Sequence, residues 1–200
     1  MTEKILLFNR WDLDGITVAD PGLVRYVNLK PIIVPRTGGK FGTKPFHKTD
    51  MNIVERLMNK IMIPGHKGKR HKLTSGRCVG RTSALYRDVK KAFELIEKRA
   101  NKNPVQVLVE AIVNAATYEE VTGYRLGGTI ARKAVITSPQ RRVDTALRYI
   151  AQGVYRASFG NKRRMYEVLA DELIGISRND NKTFAVRERQ RLEKEAEGAR

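Results

Sequence analysis

The chain has 200 residues, 41% of them hydrophobic, so it can bury a core and is not disordered throughout. It carries 39 Lys and Arg against 21 Asp and Glu, and a net charge of +18 attracts polyanions. The single cysteine, Cys78, excludes an internal disulfide framework. No segment approaches the roughly 18 apolar residues of a membrane span. We therefore expect a cytoplasmic protein with no membrane partner.

Residues 1–49 are predicted to form an extended, irregular and basic N-terminal arm. Prolines recur through this segment, and three glycines cluster within residues 37–42. Proline removes a backbone donor and glycine favours turns, so the segment is unsuited to regular structure. No helical spacing of apolar residues appears before residue 50.

Residues 50–178 are predicted to form a helical domain, because their apolar residues recur at helical spacing. Asp50 is the candidate N-cap of the first helix and Ser83 that of the second. The third has Asn103 as its cap, Pro104 at the first position and Gln106 at the capping-box position. The expected buried faces of these three helices are Val54, Leu57, Met58 and Ile61, then Leu85, Val89, Phe93 and Ile96, then Val105, Leu108, Val109, Ile112 and Ala116.

A two-stranded β-hairpin is predicted at about residues 118–137. Two stretches rich in Tyr, Val, Ile and Thr flank Gly127 and Gly128, and glycine accepts the positive φ of a tight turn. Because an isolated hairpin is marginally stable, we expect it to protrude from the helices or be ordered by a partner.

Two further helices and a tail are predicted after the hairpin. Ser138 and Pro139 begin a fourth helix, which ends near Phe159, and residues 165–176 form a fifth. Their expected inward residues are Val143, Leu147, Ile150 and Val154, then Met165, Val168, Leu169, Leu173 and Ile176. Residues 179–200 form a charged C-terminal helix or tail. The predicted fold is mainly α: a bundle of five to six helices with a protruding β-hairpin and a basic arm.

The distribution of charge is the main functional observation. Residues 21–49 contain six basic residues and no carboxylate, and residues 56–87 contain nine basic residues and no carboxylate. Between Glu120 and Glu167 the only acid is Asp144. A single basic run is usually a solvated face, but several carboxylate-poor segments together indicate a surface for phosphates. Contacts spread over an arm, a loop and a hairpin suit folded RNA, which proteins read largely by shape. Phe41, Phe46 and Tyr124 are candidates to stack on splayed bases. For the two phenylalanines the alternative is burial against the helices.

Three sequence stretches resemble the universal small-subunit ribosomal protein seven in its archaeal and eukaryotic form. They are residues 52–59 (NIVERLMN), residues 103–109 (NPVQVLV), and residues 127–128 with 135–143 (GG and VITSPQRRV); Asp171–Ile174 adds support. The resemblance extends from about Trp11 to the C-terminus.

The resemblance implies a structural constituent of the small ribosomal subunit. Members of that family bind the 3′ major domain of 16S-type ribosomal RNA directly, nucleate assembly of the subunit head, and lie at the subunit interface near the decoding centre, mRNA and exit-site tRNA. Their neighbours include small-subunit proteins nine and eleven. The hairpin tip expected near tRNA is Leu126, Gly127, Gly128 and Thr129.

The charge map and the resemblance together give a set of expected rRNA-binding residues. Arg141 and Arg142 are expected to clamp phosphate at the base of the hairpin. The full set is Arg36, Lys40, Lys44, Lys48, Lys67, Lys69, Arg70, Lys72, Arg77, Arg81, Arg125, Arg132, Lys133, Arg141, Arg142, Arg148, Lys162, Arg163 and Arg164.

Other kinds of site have weaker sequence support. His66, His71 and Cys78 lack the four closely paired ligands of a structural zinc site, and residues 11–15 lack the later ligands of a calcium loop. No nucleophile with a base is visible, so we expect no catalytic residue, no metal and no cofactor. The main alternative is a DNA-architectural protein that uses a basic β-ribbon arm.

Overall fold

The computed structural model describes residues 4–65 and 80–200, and within these ranges the fold is mainly helical. Six α-helices and one antiparallel hairpin occur there, as predicted. In chain order they are α1 (Ile53–Met62), α2 (Thr82–Ala100), α3 (Pro104–Ala115), β1 (Glu119–Leu126), β2 (Thr129–Ile136), α4 (Pro139–Ser158), α5 (Met165–Ser177) and α6 (Phe184–Glu197).

The helices form a bundle around α4 and α5. Helix α4 contacts α1, α3, α5 and α6, and α5 also contacts α2 and α3. Every apolar residue predicted to face inward from the first five helices is buried. The prediction succeeds because apolar side chains spaced three and four residues apart lie on one side of a helix. They are buried when that side packs against a neighbouring helix.

Two of the three predicted helix caps are wrong. Asn52, not Asp50, caps α1 by accepting a hydrogen bond from the Val54 amide at 2.9 Å. Helix α2 already includes Ser83, because it begins at Thr82. Asn103 does cap α3, at 3.0 Å from the Val105 amide.

Gln106 does not close the predicted capping box. Its side-chain oxygen accepts from the Thr17 amide at 3.0 Å, and its side-chain nitrogen donates to the Thr17 carbonyl at 3.2 Å. Gln106 therefore fixes the N-terminal segment against α3.

The segment before α1 is irregular, as predicted, but its first half is part of the core. It contains short 3₁₀ turns at Val24–Tyr26, Lys40–Gly42 and His47–Asp50. Phe8 and Trp11 are buried, with ring centroids 6.0 and 5.6 Å from that of Phe93 on α2. This burial was not anticipated, since the segment has no helix or strand period that would show which residues face inward.

The hairpin pairs Glu119 with Ile136 at its base and Leu126 with Thr129 at its tip. Gly127 in the turn has φ of 59°, a conformation that glycine adopts without steric cost. The outer two thirds of both strands are largely exposed. Helix α6 packs against β1 and α4, so the C-terminal helix supports the base of the hairpin. Among the described helices, none has the length and hydropathy of a membrane span.

Candidate nucleic-acid interface

A cluster of cations lies where α1, α4 and the end of the N-terminal segment meet. Asp144 on α4 forms ion pairs with Lys48 and, at 3.1 Å, with Arg56 on α1. The Arg56 side chain is almost fully buried and also donates to the Tyr26 carbonyl at 2.7 Å. The single acid of this part of the sequence therefore holds three chain segments together.

The cluster has more positive than negative charge. Lys60 lies close enough to Asp144, Lys48, Arg56 and Arg148 to interact with each of them electrostatically. Burial lowers the pKa of Lys60; Asp144 opposes this shift, and the neighbouring cations reinforce it. For Asp144, burial opposes ionisation, but hydrogen bonds and charges from Lys48 and Arg56 outweigh it and lower the pKa. One ionised carboxylate thus serves three basic residues, with Arg148 beside them, and the excess positive charge favours a bound anion.

Arg141 and Arg142, predicted as a pair of phosphate clamps, have different environments. Arg141 is exposed and forms an ion pair with Glu120 on β1 at 2.6 Å. Arg142 is buried: its guanidinium donates to Asp20 at 2.6 Å and to the Thr117 carbonyl at 3.2 Å. Its guanidinium also lies 4.2 Å from the centroid of the Tyr118 ring.

The environment of Arg142 gives it an internal role. Successive residues on a helix point about 100° apart, so when Arg141 faces out, Arg142 turns toward the core. Because Arg142 is buried and bound to Asp20 and the Thr117 carbonyl, the geometry favours the exposed Arg141 as the phosphate contact of the pair.

The hairpin presents three of the predicted cations to solvent. Arg125, Arg132 and Lys133 are all exposed. Arg132 pairs across the strands with Gly123 and points to the opposite face from Lys133. The hairpin can therefore present positive charge on both faces.

The base of the hairpin is fixed by the C-terminus. Arg200 donates to both carboxylate oxygens of Glu119, at 2.7 and 2.8 Å. The Ala134 amide donates to the Ala199 carbonyl at 3.4 Å. These contacts hold the base of the hairpin and leave its tip free to extend.

A second basic surface lies at the start of α5. Lys162 and Arg164 are exposed and line an open cleft of about 720 Å³ with Lys91 of α2. The Lys91 ammonium lies 5.5 Å from the centroid of the Tyr166 ring. Arg163 forms an ion pair with Asp171, which also binds Arg99. Asp88 also lines the cleft, and burial raises its pKa against the opposing effect of Lys91 and Arg87.

The other predicted site residues divide into two groups. Arg36, Lys40, Lys44 and Arg81 are exposed. Lys67, Lys69, Arg70, Lys72 and Arg77, and the weak zinc candidates His66, His71 and Cys78, lie outside the described residues. Within the described ranges, no cluster of three or more His, Cys, Asp or Glu side chains is arranged to hold a metal ion.

Sequence reasoning did not assign Arg56, Lys60 or Lys91 to the site. Arg56 and Lys60 are four residues apart, so they share one side of α1, and this spacing was a usable signal. Arg56 and Lys60 lie close to residues of α4, and Lys91 lies close to the start of α5, because these helices pack against each other. Such tertiary contacts cannot be predicted from a local sequence pattern.

A helical core with exposed cations on a hairpin and in two clefts defines a nucleic-acid-binding structural protein. The chain belongs to the family of ribosomal protein S7p/S5e, whose sequence profile matches residues 23–200. The predicted resemblance is therefore confirmed.

Archaeal relatives match over nearly the whole chain. Small ribosomal subunit protein uS7 of Nanoarchaeum equitans is 43% identical, over 98% of this chain and 100% of the relative. The protein of that name from Archaeoglobus fulgidus is 43% identical, over 99% and 96%. That from Methanococcoides burtonii is 44% identical, over 97% and 98%.

Family membership confirms the broad functional prediction. The chain is a structural, non-enzymatic ribosomal protein that acts in translation as an RNA-binding component of cytoplasmic ribosomes.

Proposed function

We propose that this protein binds the 3′ major domain of 16S-type ribosomal RNA directly and nucleates assembly of the head of the small ribosomal subunit. It would then lie at the subunit interface, near the decoding centre, mRNA and exit-site tRNA. Small-subunit proteins nine and eleven are its proposed protein neighbours.

The observation that carries the proposal is the excess of positive charge where α1 meets α4. Lys48, Arg56 and Lys60 share Asp144 there and Arg148 lies beside Lys60, although each cation would be less repelled if dispersed over the surface. Packing cations together costs free energy that a bound phosphate backbone offsets. Proteins recognise folded RNA largely by its shape, and cations held rigidly on packed helices suit this mode of recognition.

The proposed contacts form three groups on the described residues. The first surrounds α1 and α4, the second is the hairpin, and the third is the start of α5. The group around α1 and α4 consists of Lys48, Lys60, Arg141 and Arg148. The hairpin group consists of Arg125, Arg132 and Lys133, and the group at the start of α5 consists of Lys162, Arg163 and Arg164. Arg36, Lys40, Lys44 and Arg81 extend the set, and Lys67, Lys69, Arg70, Lys72 and Arg77 remain predictions from sequence.

The hairpin tip has a different proposed role. Leu126 and Ile130 are exposed apolar side chains near the turn. Residues 126–129 contain no cation: Arg125 precedes them and pairs with Ile130, and Arg132 and Lys133 lie further along β2. We expect residues 126–129 to contribute little to rRNA affinity and to act on the exit-site tRNA.

Filter binding with three nucleic acids tests the proposal. The full chain is titrated with a 3′-domain rRNA fragment, a 5′-domain fragment of equal length and duplex DNA of equal nucleotide content. We expect the 3′ fragment to bind tightest, with a log–log salt slope of about −7 to −9 if ten phosphates are contacted. Displacement of the 3′ fragment by an equal nucleotide concentration of DNA would support the DNA-architectural alternative instead. Co-sedimentation with small subunits and crosslinking to their 3′ domain test the location.

A further inference from the structure

A cleft of about 310 Å³ lies between the end of the N-terminal segment and the first turns of α4. Its wall combines an exposed aromatic ring, a buried amide and several cations. The lining residues that matter here are Phe46, Lys48, Ser138, Gln140, Arg141 and Arg148.

Gln140 is the most unusual side chain in this wall. The residue is 5% exposed, and neither its side-chain nitrogen nor its oxygen has a hydrogen-bond partner among the residues that the structure describes. An unsatisfied buried polar group costs about 1–3 kcal/mol. A ligand that supplies both an acceptor and a donor would remove this cost.

The start of α4 adds donors and positive potential. Ser138 precedes the helix and makes no side-chain cap, and the first turn contains no acid. Pro139 has no amide hydrogen, so the free donors of the first turn are the amides of Gln140 and Arg141. The N-terminus of a 20-residue helix favours an anion.

Cations line the same cleft together with one of its acids, Asp144, and Arg148 lies about 14 Å along α4 from Pro139. Lys48 is paired with Asp144, and Arg141 with Glu120. Arg148 has no carboxylate partner in the part of the chain described by the structure, although it lines the cleft. A phosphate in the cleft beside Arg148 would therefore find a cation that is not already neutralised.

Phe46 supplies the apolar element. The residue is 72% exposed, the most open phenylalanine in the described ranges. Its φ of 63° is unfavourable for a residue with a side chain, and its carbonyl accepts from the Thr49 hydroxyl at 2.8 Å. The ring is thus presented at the mouth of the cleft rather than buried.

We propose that this cleft binds one nucleotide displaced from the base stack of RNA. Its phosphate lies in the cleft beside Arg148, its base stacks on Phe46, and the edge of the base bonds to the Gln140 amide. A base edge with a donor beside an acceptor, such as that of adenine, is complementary to a glutamine amide. This site rests on the proposed function, because it needs RNA as the partner, but it assigns a specific nucleotide pocket within that surface.

Three variants separate the three elements of the pocket. In Phe46→Ala a stacking face is lost, and the Kd for the 3′-domain rRNA fragment should rise about tenfold. In Gln140→Leu the unpaired amide becomes apolar, so stability without RNA should stay equal or rise while Kd rises about threefold to tenfold. In Arg148→Ala one phosphate contact is lost, so the log–log salt slope should become shallower by about 0.7–0.9.

Phe159→Ala is the matched control for Phe46→Ala. Phe159 is also an exposed phenylalanine, but it follows the opposite end of α4. We expect its Kd to equal that of the unaltered chain. Phe46→Ala and Gln140→Leu should also keep the original salt slope, because neither change removes a phosphate contact.

The outcomes distinguish failure of the pocket from failure of the proposed function. Absence of binding by the unaltered chain to the 3′ fragment would refute RNA binding itself. Tight binding that Phe46→Ala and Gln140→Leu leave unchanged would refute the pocket alone. Ultraviolet crosslinking of the complex, followed by mass spectrometry, should place a nucleotide adduct on Phe46, and adducts confined to the hairpin would also overturn the inference.

Discussion

Replacement of Arg142 by alanine removes a buried guanidinium whose partners connect three parts of the fold. Asp20 lies in the N-terminal segment, Thr117 and Tyr118 precede the hairpin, and Arg142 itself is in the first turn of α4. Both side chains of the ion pair are nearly buried, at 8% and 12% exposure. The Arg142→Ala variant would therefore leave the Asp20 carboxylate without its cation in a poorly solvated position.

The expected cost follows from this burial. Loss of one partner of a buried ion pair costs about 3–5 kcal/mol, and we expect the lower value because Asp20 keeps slight access to water. For a chain of 200 residues, a loss of about 3 kcal/mol corresponds to a fall in Tm of about 6–12 °C. Urea unfolding followed by circular dichroism measures the free energy directly.

Arg141→Ala is the matched control, because it changes the adjacent arginine. The Arg141–Glu120 ion pair is exposed on the arginine side, so its loss should cost less than about 1 kcal/mol. In a cycle with Asp20→Asn, the double variant with Arg142→Ala should lose less stability than the sum of the two single variants. Equal unfolding midpoints for Arg142→Ala and Arg141→Ala would contradict an internal role for Arg142.

Three further predictions concern other parts of the fold. Burial raises the pKa of Glu172 above its ordinary value of 4.5, opposed by a hydrogen bond from the Phe184 backbone. Glu172→Gln should therefore stabilise the chain by about 1 kcal/mol at pH 7, and the gain should vanish as pH falls below 4.5; a gain that persists at low pH would exclude ionisation as the cause. A Cβ added at Gly175 would lie 2.7 Å from Cγ2 of Thr183, so Gly175→Ala should cost about 1–3 kcal/mol. Adding Thr183→Ser, which deletes that methyl group and keeps the hydroxyl, should restore most of the stability measured by urea unfolding. Deletion of residues 126–129 should leave the Kd for the 3′-domain fragment within about twofold, because the tip carries no phosphate-binding cation; loss of binding would place the tip in the rRNA contact.

The helical core was predictable because its information is local. Residues such as Leu57, Leu108 and Leu147 recur at helical spacing and are all fully buried. The hairpin was predictable for a similar reason, since two glycines separate two strand-like segments. The caps of α1 and α2 were not, because several polar residues precede each helix and tertiary contacts select among them. Asn52 also donates to the Lys30 carbonyl at 3.1 Å, which Asp50 could not do.

The candidate site was predictable as a set of charges but not as a geometry. Sequence counts indicated that residues around Arg148 and Arg141 were short of acids. They did not show that Arg56 and Lys60 would meet Asp144, with Arg148 beside Lys60, nor that Arg142 would turn inward. These arrangements depend on how helices far apart in sequence pack, whereas the total charge of a segment does not.

Several acids of this basic chain attach its N-terminal segment to the helices. Glu97 of α2 accepts from the Trp11 ring nitrogen at 3.2 Å, and Glu55 of α1 accepts from the Thr37 amide at 2.8 Å. Asp144 binds Lys48, while Asp20 of the segment itself binds Arg142.

These attachments explain how an irregular segment without helices can be ordered on a bundle with a net charge of +18. Each of these four acids neutralises a cation or satisfies a donor at the junction between the segment and the helices. Added salt should then have opposite effects on the stability of the free protein and on the stability of its RNA complex. Screening reduces self-repulsion in the free chain, whereas it weakens an RNA complex by reducing the gain from counterion release. The same division of charge therefore orders the fold and leaves its unpaired cations available for phosphate.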